Sequence, residues 1–267
     1  MRMWGNEYNI KIQPWNSSRS SKGKRSTMNS AKTSSFFDRT LGRSLRTLAF
    51  SIIGLTVVGF LCVEVFNRYI RQYQELNTVE KVVADLSEES CAHQLGKFAL
   101  KRTQDLVIYN DSLPSLSYPN GDVSEETGMA VDLLIRAYRA TGFDFQQAIH
   151  EDIVKRFDEY PKLWDLQGPN YSVDHRRVEN LLHYMETYGE VIPADAKESE
   201  LRVGDIVAWR LASAKLHVGI IVPVKQSENH ELFWVVHNFG QGPVWANDLK
   251  RFSVECYYRF DPSNKAL

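Results

Sequence analysis

Two histidines stand where imidazole chemistry is feasible. His217 opens the apolar run LHVGIIV, and His237 lies near the end of WVVHNFG with Asn238 directly after it. If the two runs are neighbouring strands, the rings come within hydrogen-bond reach, one as base and the other as its orienter. A second concentration is DHRRVENL, where Asp174, His175, Arg176 and Arg177 gather charge at an expected helix start. The planar fork of arginine suits a buried carboxylate or the carboxylates of a ligand. Both features also have purely structural readings, as strand-end histidines and as a helix cap with solvated or paired arginines. A zinc site from His175, His217, His237 and a carboxylate lacks HExxH or any tight ligand spacing, so neither metal nor cofactor is expected. Cys62, Cys91 and Cys256 are too few and too scattered for a disulfide framework or a cysteine zinc site.

The elements that must carry these residues change character along the chain. MAVDLLIRAYRATG has Met129, Leu133, Leu134, Ala137 and Tyr138 on one helical face and ends at Gly142. A second helix is expected over 146–160, stopping before Pro161, and a third over 175–188 with Asp174 as its N-cap. Then GDIVAWRL, LHVGIIVPV, LFWVVHNF and SVECYYRF alternate or run apolar with β-branched and aromatic residues, as strands of a small antiparallel sheet do. Helices first and strands later indicate an α+β domain, without the βαβ alternation of a dinucleotide-binding fold. No internal repeat, Walker loop or GxGxxG occurs.

Upstream, Thr47–Val63 (TLAFSIIGLTVVGFLCV) is seventeen residues without a charge, and three further residues bring it to the length a bilayer needs. It reads as one transmembrane helix over 46–66. A cleaved signal peptide would need a shorter apolar stretch and a small-residue cleavage site, which Cys62-Val63-Glu64 does not offer. The first 46 residues hold ten Lys or Arg against Glu7 and Asp38, a net of +8, leaving −9 for the remainder of a chain whose total is −1. The positive-inside bias therefore places the N-terminus in the cytoplasm and the C-terminal 200 residues outside it. An acidic remainder argues against a nucleic-acid surface. Residues 1–45 are expected to be a disordered basic tail, 67–92 a helical stalk broken by Ser-Glu-Glu-Ser at 87–90, and 93–267 the extracytoplasmic domain.

Residues 93 to 261 resemble the DUF1287 family, itself similar to the NlpC/P60 (papain-like) cysteine peptidases. The resemblance rests on YPNGDVSEETGMAVDLLIRAYRATGFDFQQAIHEDI, DHRRVENL, VGDIVAWRL, LHVGIIV, VVHNFGQGP and YYRF, in that order. It implies an NlpC/P60-like domain with N-terminal helices packed on a small antiparallel sheet. It further implies a nucleophilic cysteine at the N-terminus of the first core helix, with His217 its base and His237 the third, orienting member. The implied substrates are amide bonds in the stem peptides of peptidoglycan.

At one position the chain departs from that pattern. Where the family helix reads like GVCTDVVIRAYR, this chain has Gly128-Met129-Ala130-Val131-Asp132, so Ala130 occupies the cysteine position. A methyl group offers neither proton nor lone pair, and the thiol route is closed there. Ser124 and Thr127 precede the helix and read as turn or capping residues. The expected function is a membrane-anchored domain with a degenerate peptidase-like site, a pseudoenzyme that binds cell-wall peptide or an envelope protein. Asp132, Asp174, His175, Arg176, Arg177 and Asn238 are its candidate binding residues. The alternatives are a working amide hydrolase with another nucleophile or a metal-bound water, and a structural or assembly factor of the cell envelope.

Overall fold

The structure, a computed structural model, describes residues 28–87, 90–164, 167–225 and 232–264; the first 27 residues of the expected basic tail lie outside these. The chain divides into two units, one ending at Arg68 and a compact domain beginning at Tyr69.

Helix α1 spans Met28–Ala84. Its most apolar stretch has a mean hydropathy of 2.3 over 18 residues and is not buried against the protein. At 1.5 Å per residue this is long and apolar enough to cross a membrane. The helix begins earlier than expected and takes in residues 28–45, where the sequence shows no sustained helical period. No proline or glycine interrupts Met28 to Leu41, and Ser, Thr, Lys and Arg are all compatible with a helix that lacks an apolar stripe. The domain, too, starts upstream of residue 93, because Val79 and Leu86 are buried in its core.

Ser90, at the end of the expected break, caps helix α2 (Cys91–Arg102) by accepting the His93 amide at 3.4 Å. Helix α3 covers Ala130–Ala140 and α4 covers Phe145–Arg156, followed by a 3-10 turn that ends before Pro161. The third expected helix is shorter than its charge pattern suggested. Asp174–Arg176 form a 3-10 turn, and α5 begins only at Val178 and runs to Tyr188. Asp174 is therefore not an N-cap. It is buried, and its carboxylate takes the Asn170 amide at 2.7 Å and the His150 ring at 3.1 Å instead.

The sheet is antiparallel, with strand order β3-β8-β4-β5-β6-β7. The four expected strands are β4 (Ile206–Arg210), β5 (Leu216–Pro223), β6 (Phe233–Asn238) and β8 (Ser253–Arg259). The two edges, β3 (Glu190–Pro193) and β7 (Pro243–Ala246), are short and carry proline, which suppresses a strand signal and is well tolerated at an edge. A two-residue parallel pair, β1 (Ile108–Tyr109) with β2 (Thr127–Gly128), leads into α3. The architecture is thus the expected α+β.

Alternation along the strands divides the core into two layers. Ile206, Ala208, Val218, Ile220, Val222 and Val236 pack against the helices, through Leu134, Ala137, Tyr138 and Leu181 among others. Val207, Trp209, Ile221, Val235 and Tyr257 pack on the opposite face under Leu201 and Leu249. Both faces are covered, so the central strands read as nearly continuous apolar runs rather than clean alternation.

Candidate functional site

Strand register decides where the two imidazoles go. Trp209 of β4 lies opposite His217 of β5, and Gly219 follows two residues on, on the same face. A Cβ at Gly219 would sit 2.8 Å from the Trp209 ring and 3.3 Å from the His237 Cβ, so only glycine lets indole and second imidazole close in. His217, His237 and Trp209 therefore share the sheet face turned away from the helices.

There the two rings meet as expected. His217 Nε2 and His237 Nδ1 are 2.9 Å apart, and His237 Nε2 is 3.1 Å from Asp248 Oδ2. The carboxylate fixes the protons along this chain. His237 donates its Nε2–H to Asp248, which leaves Nδ1 as an acceptor for the Nε2–H of His217. The lone pair of His217 then sits on Nδ1, which makes no hydrogen bond among the described residues and is the terminus of the relay. Burial pushes His217 down to about 3 and is reinforced by the His237 ring beside it. Burial also lowers His237, opposed by its bond to Asp248. Both rings are thus neutral at pH 7.

An aromatic box isolates the relay. Trp209 stacks on His217 at 5.5 Å between centroids, and its Nε1–H donates to the Leu249 carbonyl at 3.0 Å. Phe252 packs edge-on to both imidazoles, and the half-exposed Phe239 packs edge-on to His217 at 5.4 Å. Arg251 donates to the same Asp248 oxygen, Oδ2, at 2.7 Å. Asp248, Arg251 and Leu249 all come from the 247–252 loop, which closes over this face.

On the other face, Ala130 is the first residue of α3 and is buried among the helix–sheet residues. Asn238 ties the two regions together, because its Nδ2 donates to the Gly128 carbonyl at 3.0 Å. The segment entering α3 is thereby fastened to the end of β6, one residue beyond His237. Asp132 closes the first turn of α3 by accepting the Met129 amide at 2.7 Å.

The charged DHRR segment splits into different tasks. Arg176 grips both oxygens of Asp132, at 2.7 and 2.8 Å, and donates to the Ser112 carbonyl at 2.6 Å. With both partners of that ion pair buried, Arg176 and Asp132 brace the start of α3. Asp174 orients His150, and burial raises its carboxyl above the usual range. His175 is buried with Nδ1 unpartnered, and burial pushes it down to about 3. Arg177 stacks on Trp164 at 3.8 Å, its Nε and Nη1 buried without hydrogen bonds. These four residues do not join His217 and His237 in one cluster of contacts. Ser124 and Thr127 bracket a turn: Thr127, the first residue of β2, donates its hydroxyl to the Ser124 carbonyl at 3.1 Å.

Asp248 was not legible in the sequence, because it lies eleven residues beyond His237 in a turn after an edge strand that itself gave no signal. Trp209 was visible only as an apolar strand residue. Cys62, Cys91 and Cys256 are all free thiols. Among the described residues, no three His, Cys, Asp or Glu side chains converge in a way that would hold a metal ion.

Comparison with known proteins gives two matches. Residues 96–260 match the family described as "Domain of unknown function (DUF1287)". The chain is also similar to "Uncharacterized protein YijF" of Escherichia coli (strain K12), 35% identical over 154 residues, which are 58% of this chain and 74% of that protein.

Proposed function

The chain belongs to the DUF1287 family, and from that premise we propose that it is a single-pass membrane protein whose extracytoplasmic domain is a non-hydrolytic relative of the NlpC/P60 peptidases. In this reading the domain binds a peptide of the cell wall through the His217 relay and leaves its amide bonds intact. The observation that carries the reading is the chain Asp248–His237–His217, hydrogen-bonded at 3.1 and 2.9 Å, in a protein that places Ala130 at the head of the core helix.

The chemistry follows from that combination. In a cysteine peptidase an imidazole takes the proton of a thiol held at a helix N-terminus, and a third group orients the imidazole. Here the orienting group is present and has itself an orienter, Asp248. The proton donor is missing, since the Ala130 methyl has nothing to give. What remains is a neutral imidazole with one lone pair fixed in direction, which is a hydrogen-bond acceptor for a peptide N–H. Phe239, half-exposed beside it, supplies apolar surface for the side chains of such a peptide.

The anchor follows from α1 and its flank. The apolar stretch of α1 crosses the membrane, and the +8 net charge of the first 46 residues keeps the N-terminus in the cytoplasm.

A synthetic peptidoglycan stem peptide, titrated into the full chain in nanodiscs and followed by mass spectrometry, tests the proposal. Binding that is lost in His217→Ala, with the peptide recovered intact, is the expected result. Cleavage by the wild type, or equal binding by His217→Ala, would contradict it.

A further inference from the structure

A second, unrelated surface is built with comparable care on the other side of the DHRR segment. His150 of α4 lies in the angle between Tyr118 and Tyr171, with ring centroids 5.3 and 5.8 Å away and both contacts edge-on. The two tyrosines are 5.4 Å apart and each about 40% exposed (38% and 42%). Asp174, buried behind them, lies 3.1 Å from His150 Nδ1 and fixes the ring, and Nε2 makes no hydrogen bond among the described residues.

The loops that present these rings are held by buried polar groups. Gln146 is fully buried and donates from Nε2 to the carbonyls of Ser117 and Tyr171, at 2.8 and 3.1 Å. Its Oε1 accepts the Gly121 amide at 2.7 Å. Ser172 accepts the Leu116 amide at 2.9 Å. One side chain thus fixes three backbone sites on two loops. Burying polar groups is tolerated only when they are satisfied, and the result here is a rigid pair of outward-facing phenols. None of this supports the His217 relay.

Tyr171 also borders a cavity of about 730 Å³ between the 113–115 and 167–173 segments. Leu113, Pro114 and Val173 give it apolar walls, Ser115 and Asn170 give it neutral polar groups, and among the described residues none with a charged side chain lines it. A phosphate, carboxylate or ammonium would be desolvated there without a partner. Exposed phenol faces, an imidazole nitrogen fixed in direction and a cavity without charged side chains suit a ligand with apolar C–H faces and many hydroxyls. We propose that Tyr118, His150 and Tyr171, with the adjoining cavity, bind a neutral oligosaccharide.

The test is calorimetric titration of the full chain in nanodiscs with tetra-N-acetylchitotetraose, cellotetraose and maltotetraose. At least one should bind with a Kd below about 1 mM. Tyr171→Ala should weaken that binding at least about tenfold, as loss of a stacking contact predicts, whereas Tyr171→Trp keeps it. If Tyr171→Ala lowers the melting temperature, Tyr118→Ala is measured in its place. Failure of all three sugars, or binding indifferent to both tyrosines, overturns the proposal. His217→Ala separates this surface from the relay: unchanged sugar binding places the site here, and lost binding moves it to the relay and overturns the assignment.

Discussion

Arg176 and Asp132 form a two-pronged ion pair across 44 residues of sequence, with both side chains buried and contacts of 2.7 and 2.8 Å. The pair ties the 3-10 turn before α5 to the first turn of α3. Removing one partner leaves a buried charge uncompensated, which costs roughly 3–5 kcal/mol. Arg176→Ala should therefore lower the melting temperature by about 10 °C or more for a domain of this size. Arg177→Ala, which loses a stacking contact on Trp164, should lower it by much less. Equal shifts for the two variants would show that the pair does not brace the helix. Circular dichroism of the two variants measures this.

Acid should weaken the domain well before its carboxylates titrate as a class. His175, His217 and His237 are buried and held below the usual imidazole range, His175 and His217 to about 3. The unfolded chain binds a proton at each near pH 6.5 while the folded one does not, so stability is lost as pH falls from about 6.5 toward 3. The loss between pH 6.5 and 5.5 is about 1 kcal/mol for each of His175 and His217, and His237 adds in the same direction. Asp174 and Asp205 act in the opposite sense, since their raised carboxyls favour the fold at low pH and the benefit fades as pH rises through their folded values. Urea unfolding at pH 7.5 and 5.5 should show the drop, and His217→Gln should reduce it. A pH-independent midpoint would mean that the histidines are not buried neutral.

Gly219 is the tightest point of the relay. A methyl there would press on Trp209 at 2.8 Å, and overpacking of this kind costs about 1–3 kcal/mol. Gly219→Ala should unseat the indole from His217 and shift the Trp209 contribution to fluorescence, while leaving the helical signal in circular dichroism unchanged. An unchanged emission spectrum would show that the sheet absorbs the methyl elsewhere.

Membrane orientation is open to a direct reporter. On the proposed topology, in which the +8 flank keeps the N-terminus in the cytoplasm, alkaline phosphatase fused after the last strand should be active. A silent phosphatase beside an active cytoplasmic reporter at the same point would reverse the topology.

How much of this was legible in the sequence depends on whether a local pattern carried it. The α3 stripe and the apolar runs of β4, β5, β6 and β8 follow their periods, and the strands appear within a residue or two of where alternation places them. The His217–His237 contact was readable because each ring sits on a strand of that set. Asp248 and the Gln146 clamp were not, because each depends on loops brought together by the whole fold. Asp174 misled for a related reason: a charge before an apolar helix looks like a cap, whereas the carboxylate is held by His150 from another helix. The helical state of residues 28–45 was missed because an unpatterned polar helix has no signature distinguishing it from coil.

The central claim is that the Asp248–His237–His217 relay binds cell-wall peptide and leaves it intact, since Ala130 stands on the other face of the sheet and offers no nucleophile. It is tested most directly by titrating a synthetic stem peptide into the full chain in nanodiscs, as wild type, His217→Ala and Asp248→Ala, and weighing the recovered peptide by mass spectrometry. The predicted result is wild-type binding that weakens in both variants, with the peptide mass unchanged throughout. Cleavage by the wild type, or binding indifferent to both substitutions, would contradict the account.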